Sequence, residues 1–113
     1  MTRFQTNIEL ADAASTRFEK QQVWVDTDAL YSQFSSALLT PLGYESEAIQ
    51  IVEMPDGRHA QMEVGDVQLR INGDVRTVTC LFDSKRGVAV LGRSALEEFG
   101  LTVDEDAKAL VAE

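Results

Sequence analysis

Apolar or small and polar residues alternate from Phe4 to Leu10, with Phe4, Thr6, Ile8 and Leu10 set against Gln5, Asn7 and Glu9. That period of two predicts a half-buried β-strand. Ala11 to Arg17 is small and polar and suits a connection, after which Phe18 to Val25 predicts a second strand, so the chain opens on a hairpin. The run Val23-Trp24-Val25 then ends abruptly on Asp26. An acid at the end of an apolar strand is costly unless backbone amides, a proton or a cation satisfy it.

Leu30 to Leu42 carries a mixed pattern, open to a short helix or to a strand followed by one turn, and Pro41 and Gly43 limit its length. Glu45 to Glu53 returns to a strand pattern, and Pro55-Asp56-Gly57 has strong turn chemistry. A return arm, Arg58 to Glu63, leads to Gly65, and Val67 to Ile71 alternates again. Asn72-Gly73 is the strongest hairpin signal in the chain. In the strand from Val75 to Phe82 both faces are partly apolar, which predicts an interior position. Val88 to Leu91 is wholly apolar, as expected inside a sheet, and Gly92 ends it. Ser94 as N-cap, Glu97 three residues on and Gly100 as C′ residue predict a short helix over Ala95 to Phe99. Asp104 to Asp106 reads as a solvated turn and Lys108 to Val111 as a last strand. The predicted class is mainly β with one short C-terminal helix.

At 113 residues the length predicts one domain, spanning residues 1–113. A net charge of −9 argues against nucleic acid or an anionic membrane as partner. No stretch approaches a membrane span and the start lacks the apolar core of a signal peptide, so a cytoplasmic location is the default expectation. One cysteine, Cys80, excludes an internal disulfide, and with His59 the single histidine there is no zinc-type cluster. Cys80 is expected as a buried strand residue, His59 as an exposed turn residue, Trp24 as core and Arg93 as a salt-bridging arginine.

The stretch Val25-Asp26-Thr27-Asp28-Ala29, with Ser32 shortly after, resembles the catalytic loop of retropepsin-like aspartic proteases, apolar-Asp-Thr-Gly-Ala with a nearby serine. A second stretch, Val90-Leu91-Gly92-Arg93 leading into Ala95 to Leu101, resembles that family's apolar-apolar-Gly-Arg segment and short helix. The resemblance implies a closed β-barrel in which the hairpin between the two stretches is a flap. It also implies hydrolysis of peptide bonds in a peptide or protein substrate, without cofactor or metal. Since one chain supplies one catalytic aspartate, a homodimer is implied, with Asp26, Thr27 and Asp28 as the catalytic triplet and Thr27 gripping the opposite loop. Ala29 and the flap turn Pro55, Asp56, Gly57 and Arg58 are the implied substrate-binding residues.

The third residue of the triplet is Asp28 where the family has glycine. A dimer would then gather four carboxylates, relieved by extra protons, by an oxygen-ligated cation, or by Asp28 turning outward toward Arg93. The same substitution favours the alternative of a catalytically silent homodimer that binds peptide in its cleft.

Overall fold

The computed structural model describes residues 3–54, 56–83 and 87–113; Pro55 and the Lys85-Arg86 pair lie outside the described residues. Strand β1 (Arg3–Ala11) pairs antiparallel with β2 (Phe18–Asp26) over their full lengths, the hairpin that the sequence predicts. Their connection is tied by Asp12, whose carboxylate accepts from the Thr16 and Arg17 amides at 2.7 and 3.1 Å and from the Thr16 hydroxyl at 2.6 Å.

The mixed pattern after Leu30 resolves into both of its components. Strand β3 (Ser32–Ser35) runs into a one-turn helix α1 (Ser36–Leu39), capped by the Ser35 hydroxyl, and then a 3-10 turn (Thr40–Leu42). The chain therefore has a second short helix besides the C-terminal one. Strand β4 (Ala48–Glu53) is followed by β5 (His59–Ile71), which is continuous through Gly65 and not divided there. Gly65 serves packing: a Cβ would lie 3.1 Å from the Phe82 ring and 3.2 Å from the Glu45 carbonyl. At the next turn Asn72 and Gly73 both take positive φ, 52° and 85°, so β5 folds onto β6 (Asp74–Asp83) through the two-residue hairpin that Asn-Gly favours.

Strand β7 is short, Val90–Leu91, and the apolar run before it is only partly interior, since Val88 is 56% exposed. Helix α2 (Arg93–Phe99) begins earlier than the capping pattern predicts: Gly92 is the N-cap, and Ser94 sits within the first turn. Gly100 ends it at φ 65°, as expected. The tail forms a hairpin of its own, β8 (Leu101–Asp104) with β9 (Ala109–Ala112), turned through Asp104 to Lys108.

Strand order is β1-β2-β7-β3-β6-β5-β4, with an added pairing of β1 to β5 at Glu9↔Arg70 and Leu10↔Leu69, so the pairings return on themselves and leave β4 outside the ring. Arg70 locks that return, bidentate to Glu9 and stacked 3.7 Å from the Phe18 ring centre. β6 lies between β3 and β5, the interior position its two-sided pattern predicts. Its Val78, Cys80 and Phe82 join Phe4, Ile8, Val25, Phe34 and Leu91 in the main core. Leu81, from the other face of β6, joins a smaller cluster with Val52 and Val64, against which Tyr31, Met54 and Met62 pack. Among the described residues no helix is long and apolar enough to cross a membrane.

Candidate active site

The parallel pairing of β2 with β7 places Val25 opposite Leu91, so the residues that follow, Asp26 and Gly92, emerge at the same end of the sheet. Gly92 comes against the backbone of the other loop. A Cβ there would lie 2.5 Å from the Tyr31 carbonyl group, closer than any side chain tolerates. Hydrogen bonds fill the contact: Gly92 N–H to the buried Ser32 hydroxyl (2.9 Å), Arg93 N–H to Ala29 O (2.8 Å), Ser94 N–H to Leu30 O (2.9 Å), and the Arg93 guanidinium to Thr27 O (3.2 Å). The loop 26–32 is thereby fastened at four points to the start of α2. The Ser94 hydroxyl, which the sequence marked for capping, is instead a buried group without a partner among the described residues.

Within the loop, Asp26 Oδ1 accepts from the Asp28 amide at 3.0 Å and Asp26 O from the Ala29 amide at 3.3 Å, so the carboxylate folds its own loop. Asp28 is not among the positive-φ residues of the described chain. The position therefore admits a side chain without left-handed backbone strain. The Asp26 side chain is 14% exposed, and the guanidinium of Arg3, directly opposite in β1, stands 3.9 Å from Oδ2 while also lying over the Trp24 ring at 5.4 Å. Trp24 is accordingly half-buried, and not part of the main core.

Asp26 opens on a cleft of about 190 Å³ walled mainly by apolar side chains, with Ala29, Leu30 and Tyr31 from the loop, Val52 and Met54 from the β4 arm, and Leu81 and Val90 behind. Four of these, Tyr31, Val52, Met54 and Leu81, also belong to the smaller apolar cluster, so that cluster is the floor of the cleft. Asp28 lies in an adjoining depression of about 300 Å³ with Leu30, Glu53, Met54 and Arg93. The two acids of the triplet thus face different spaces. Thr27 lines a third hollow, toward α2 and β8, with Arg93, Leu96, Leu101 and Val103.

The flap-turn residues stand at the tip of the β4–β5 ribbon and bind one another. Arg58 donates its amide (3.0 Å) and its Nε (2.7 Å) to the Asp56 carboxylate, and Gly57, at φ 87°, donates to Met54 O at 2.8 Å. These bonds hold Asp56 below the ordinary aspartate range, the Arg58 amide being the larger cause. Asp56, Gly57 and Arg58 do not line the cleft; Val52, Glu53 and Met54 do. His59 is exposed, and Arg93 serves the loop carbonyl of Thr27. Cys80 is fully buried, which pushes its thiol far up from its ordinary range. Among the described residues no three His, Cys, Asp or Glu side chains gather to hold a metal.

Sequence reasoning missed Arg3, Tyr31, Val52, Met54 and Leu81. Only Arg3 carried a usable signal, since the hairpin register that pairs the two strands sets it against Asp26.

An order in which a strand ending on Asp26 runs parallel to a strand, Val90–Leu91, that leads into Gly92, with a hairpin arm over the cleft between them, is that of a retropepsin-like fold. Among solved structures sharing it is EIAV protease complexed with the inhibitor HBY-793, which matches with a TM-score of 0.66 and 20% identity over 91% of this chain and 93% of the EIAV chain. No family model and no curated protein sequence matches.

Proposed function

We propose that this chain is an aspartic peptidase whose catalytic pair is Asp26 from each of two copies. The observation that carries the reading is Asp26 held at a fixed strand end, at the mouth of an apolar cleft roofed by an edge strand. Met54 N–H donates to Arg58 O at 2.7 Å, and by ladder alternation Gln50 and Val52 also turn their backbone groups toward β5. Ile51 and Glu53 then turn theirs to the open edge, where an extended peptide adds as a further strand. Its side chains alternate between the apolar cleft and the spaces beside it.

In the two-copy site the paired carboxylates share one proton, because two charges held so close oppose joint ionisation. The unprotonated Asp26 takes a proton from a water whose oxygen attacks the peptide carbonyl carbon, and the other Asp26 gives its proton to the carbonyl oxygen. Collapse of the tetrahedral adduct breaks the C–N bond as the Asp26 that took the water's proton passes it to the departing nitrogen and the other Asp26 regains a proton from an adduct hydroxyl, leaving a carboxylic acid and an amine. To Thr27, which lines the hollow toward α2 and β8, this reading gives the role of gripping the loop of the second copy.

The two-copy site is tested by cleavage rate per chain against protein concentration. The reading expects a rate that rises and levels off, and that falls when Asp26→Asn chains are mixed in. A constant rate per chain from a monomer in sedimentation refutes it. Asp28 favours a second reading, a silent dimer that binds peptide; activity gained only in Asp28→Gly identifies that case.

A further inference from the structure

Asp28 has a function open to it that is separate from the chemistry at Asp26. Its depression and the Asp26 cleft share Leu30, Glu53 and Met54, so a chain extended along one continues into the other. Glu53, at the end of β4, lines both spaces, and strand alternation sets its side chain on the face opposite Val52. Arg93, the remaining charged lining residue, is bound to Thr27 O, and no ion pair joins it to Asp28 among the described residues. The Asp28 amide is used by Asp26, while its side chain is exposed and carries no hydrogen bond or ion pair among the described residues. What remains is a carboxylate with no hydrogen bond or ion pair among the described residues, in a space it shares with two apolar side chains, Leu30 and Met54.

A long aliphatic stem ending in a positive charge matches that surface, with methylenes on Leu30 and Met54 and the cation on the carboxylate. We propose that Asp28 selects Lys or Arg in the bound peptide, at a position next to the residue seated in the Asp26 cleft. The inference rests on the peptide-cleft reading, and it holds whether the peptide is cut or only bound. A chain of net charge −9 also draws a basic segment toward it.

The test uses the full chain and a set of unstructured peptides carrying one leucine flanked on either side by Lys, Gln or Glu. Affinity is read by fluorescence anisotropy, and kcat/KM where cleavage occurs. An accessible ion pair predicts a Lys-over-Gln preference of about fivefold at low salt that shrinks as salt rises. The preference disappears in Asp28→Asn and turns toward Glu in Asp28→Lys. Equal Lys-to-Gln ratios in the natural chain and Asp28→Asn overturn the proposal and leave the peptide cleft standing. Failure of every peptide to bind or be cut overturns both. Dissociation of the dimer in Asp28→Asn with an unchanged ratio assigns Asp28 to the contact between copies and overturns selection.

Discussion

The two walls of the cleft are built in opposite ways. On one side the loop 26–32 is bonded at four points to Gly92, Arg93 and Ser94, over a glycine that leaves no room for a methyl group. On the other, β4 has one strand neighbour among the described residues, β5, and it shows Ile49 and Ile51 at 68% and 71% exposure. A carboxylate that must hold its geometry belongs on the first kind of wall. In the proposed peptide cleft, a strand that admits and covers a long ligand belongs on the second, because local opening is cheapest where few buried contacts are lost.

That contrast breaks first at Gly92. Gly92→Ala drives a methyl into the Tyr31 backbone and is expected to cost about 3 kcal/mol in chemical denaturation, with loss of any Asp26-dependent activity. Ser32→Ala leaves the buried Gly92 amide unpaired and is expected to cost about 2 kcal/mol by the same measurement. Ile51→Thr on the opposite wall removes only exposed surface, and its expected effect on stability is within about 0.5 kcal/mol. Hydrogen exchange sharpens the same point: the Gly92, Arg93 and Ser94 amides exchange slowly and the Ile51 and Glu53 amides fast. Equal protection on both walls contradicts the contrast.

The smallest expected effect is one of pH. Asp56 is held below the ordinary aspartate range, chiefly by the Arg58 amide and then by its side chain. A depressed folded-state value means that its contribution is present above the unfolded range and is lost as pH falls through the folded value. The flap turn therefore loosens in strong acid, read as a shift of the Gly57 and Arg58 amide resonances below the ordinary aspartate range. Asp56→Asn is expected to remove that transition.

The two stretches that meet at the site were legible in the chain because each is local: an apolar strand ending on Asp26, and Leu91-Gly92-Arg93 leading into a helix. Asn72-Gly73 was legible for the same reason, since both φ values are a property of those two residues. Ser94 misled because a hydroxyl followed by Glu97 fits a capping box, whereas the helix start is set by how closely Gly92 approaches Tyr31. Gly65 resembled a break between segments, and only the Phe82 ring from the neighbouring strand explains it. The cleft floor was invisible in sequence because Tyr31, Val52, Met54 and Leu81 come from three separate parts of the chain and meet only across the fold. Asp28 looked like an added charge in the catalytic space; its placement in a neighbouring depression follows from the turn that Asp26 itself makes.

The most direct test of the central claim is cleavage of an unfolded protein substrate from acid to neutral pH by the natural chain and by Asp26→Asn. Cleavage by the natural chain that is abolished in Asp26→Asn, with both proteins equally folded, is the predicted result. Cleavage that survives in Asp26→Asn, or none by the natural chain at any pH, contradicts an aspartic peptidase built on Asp26.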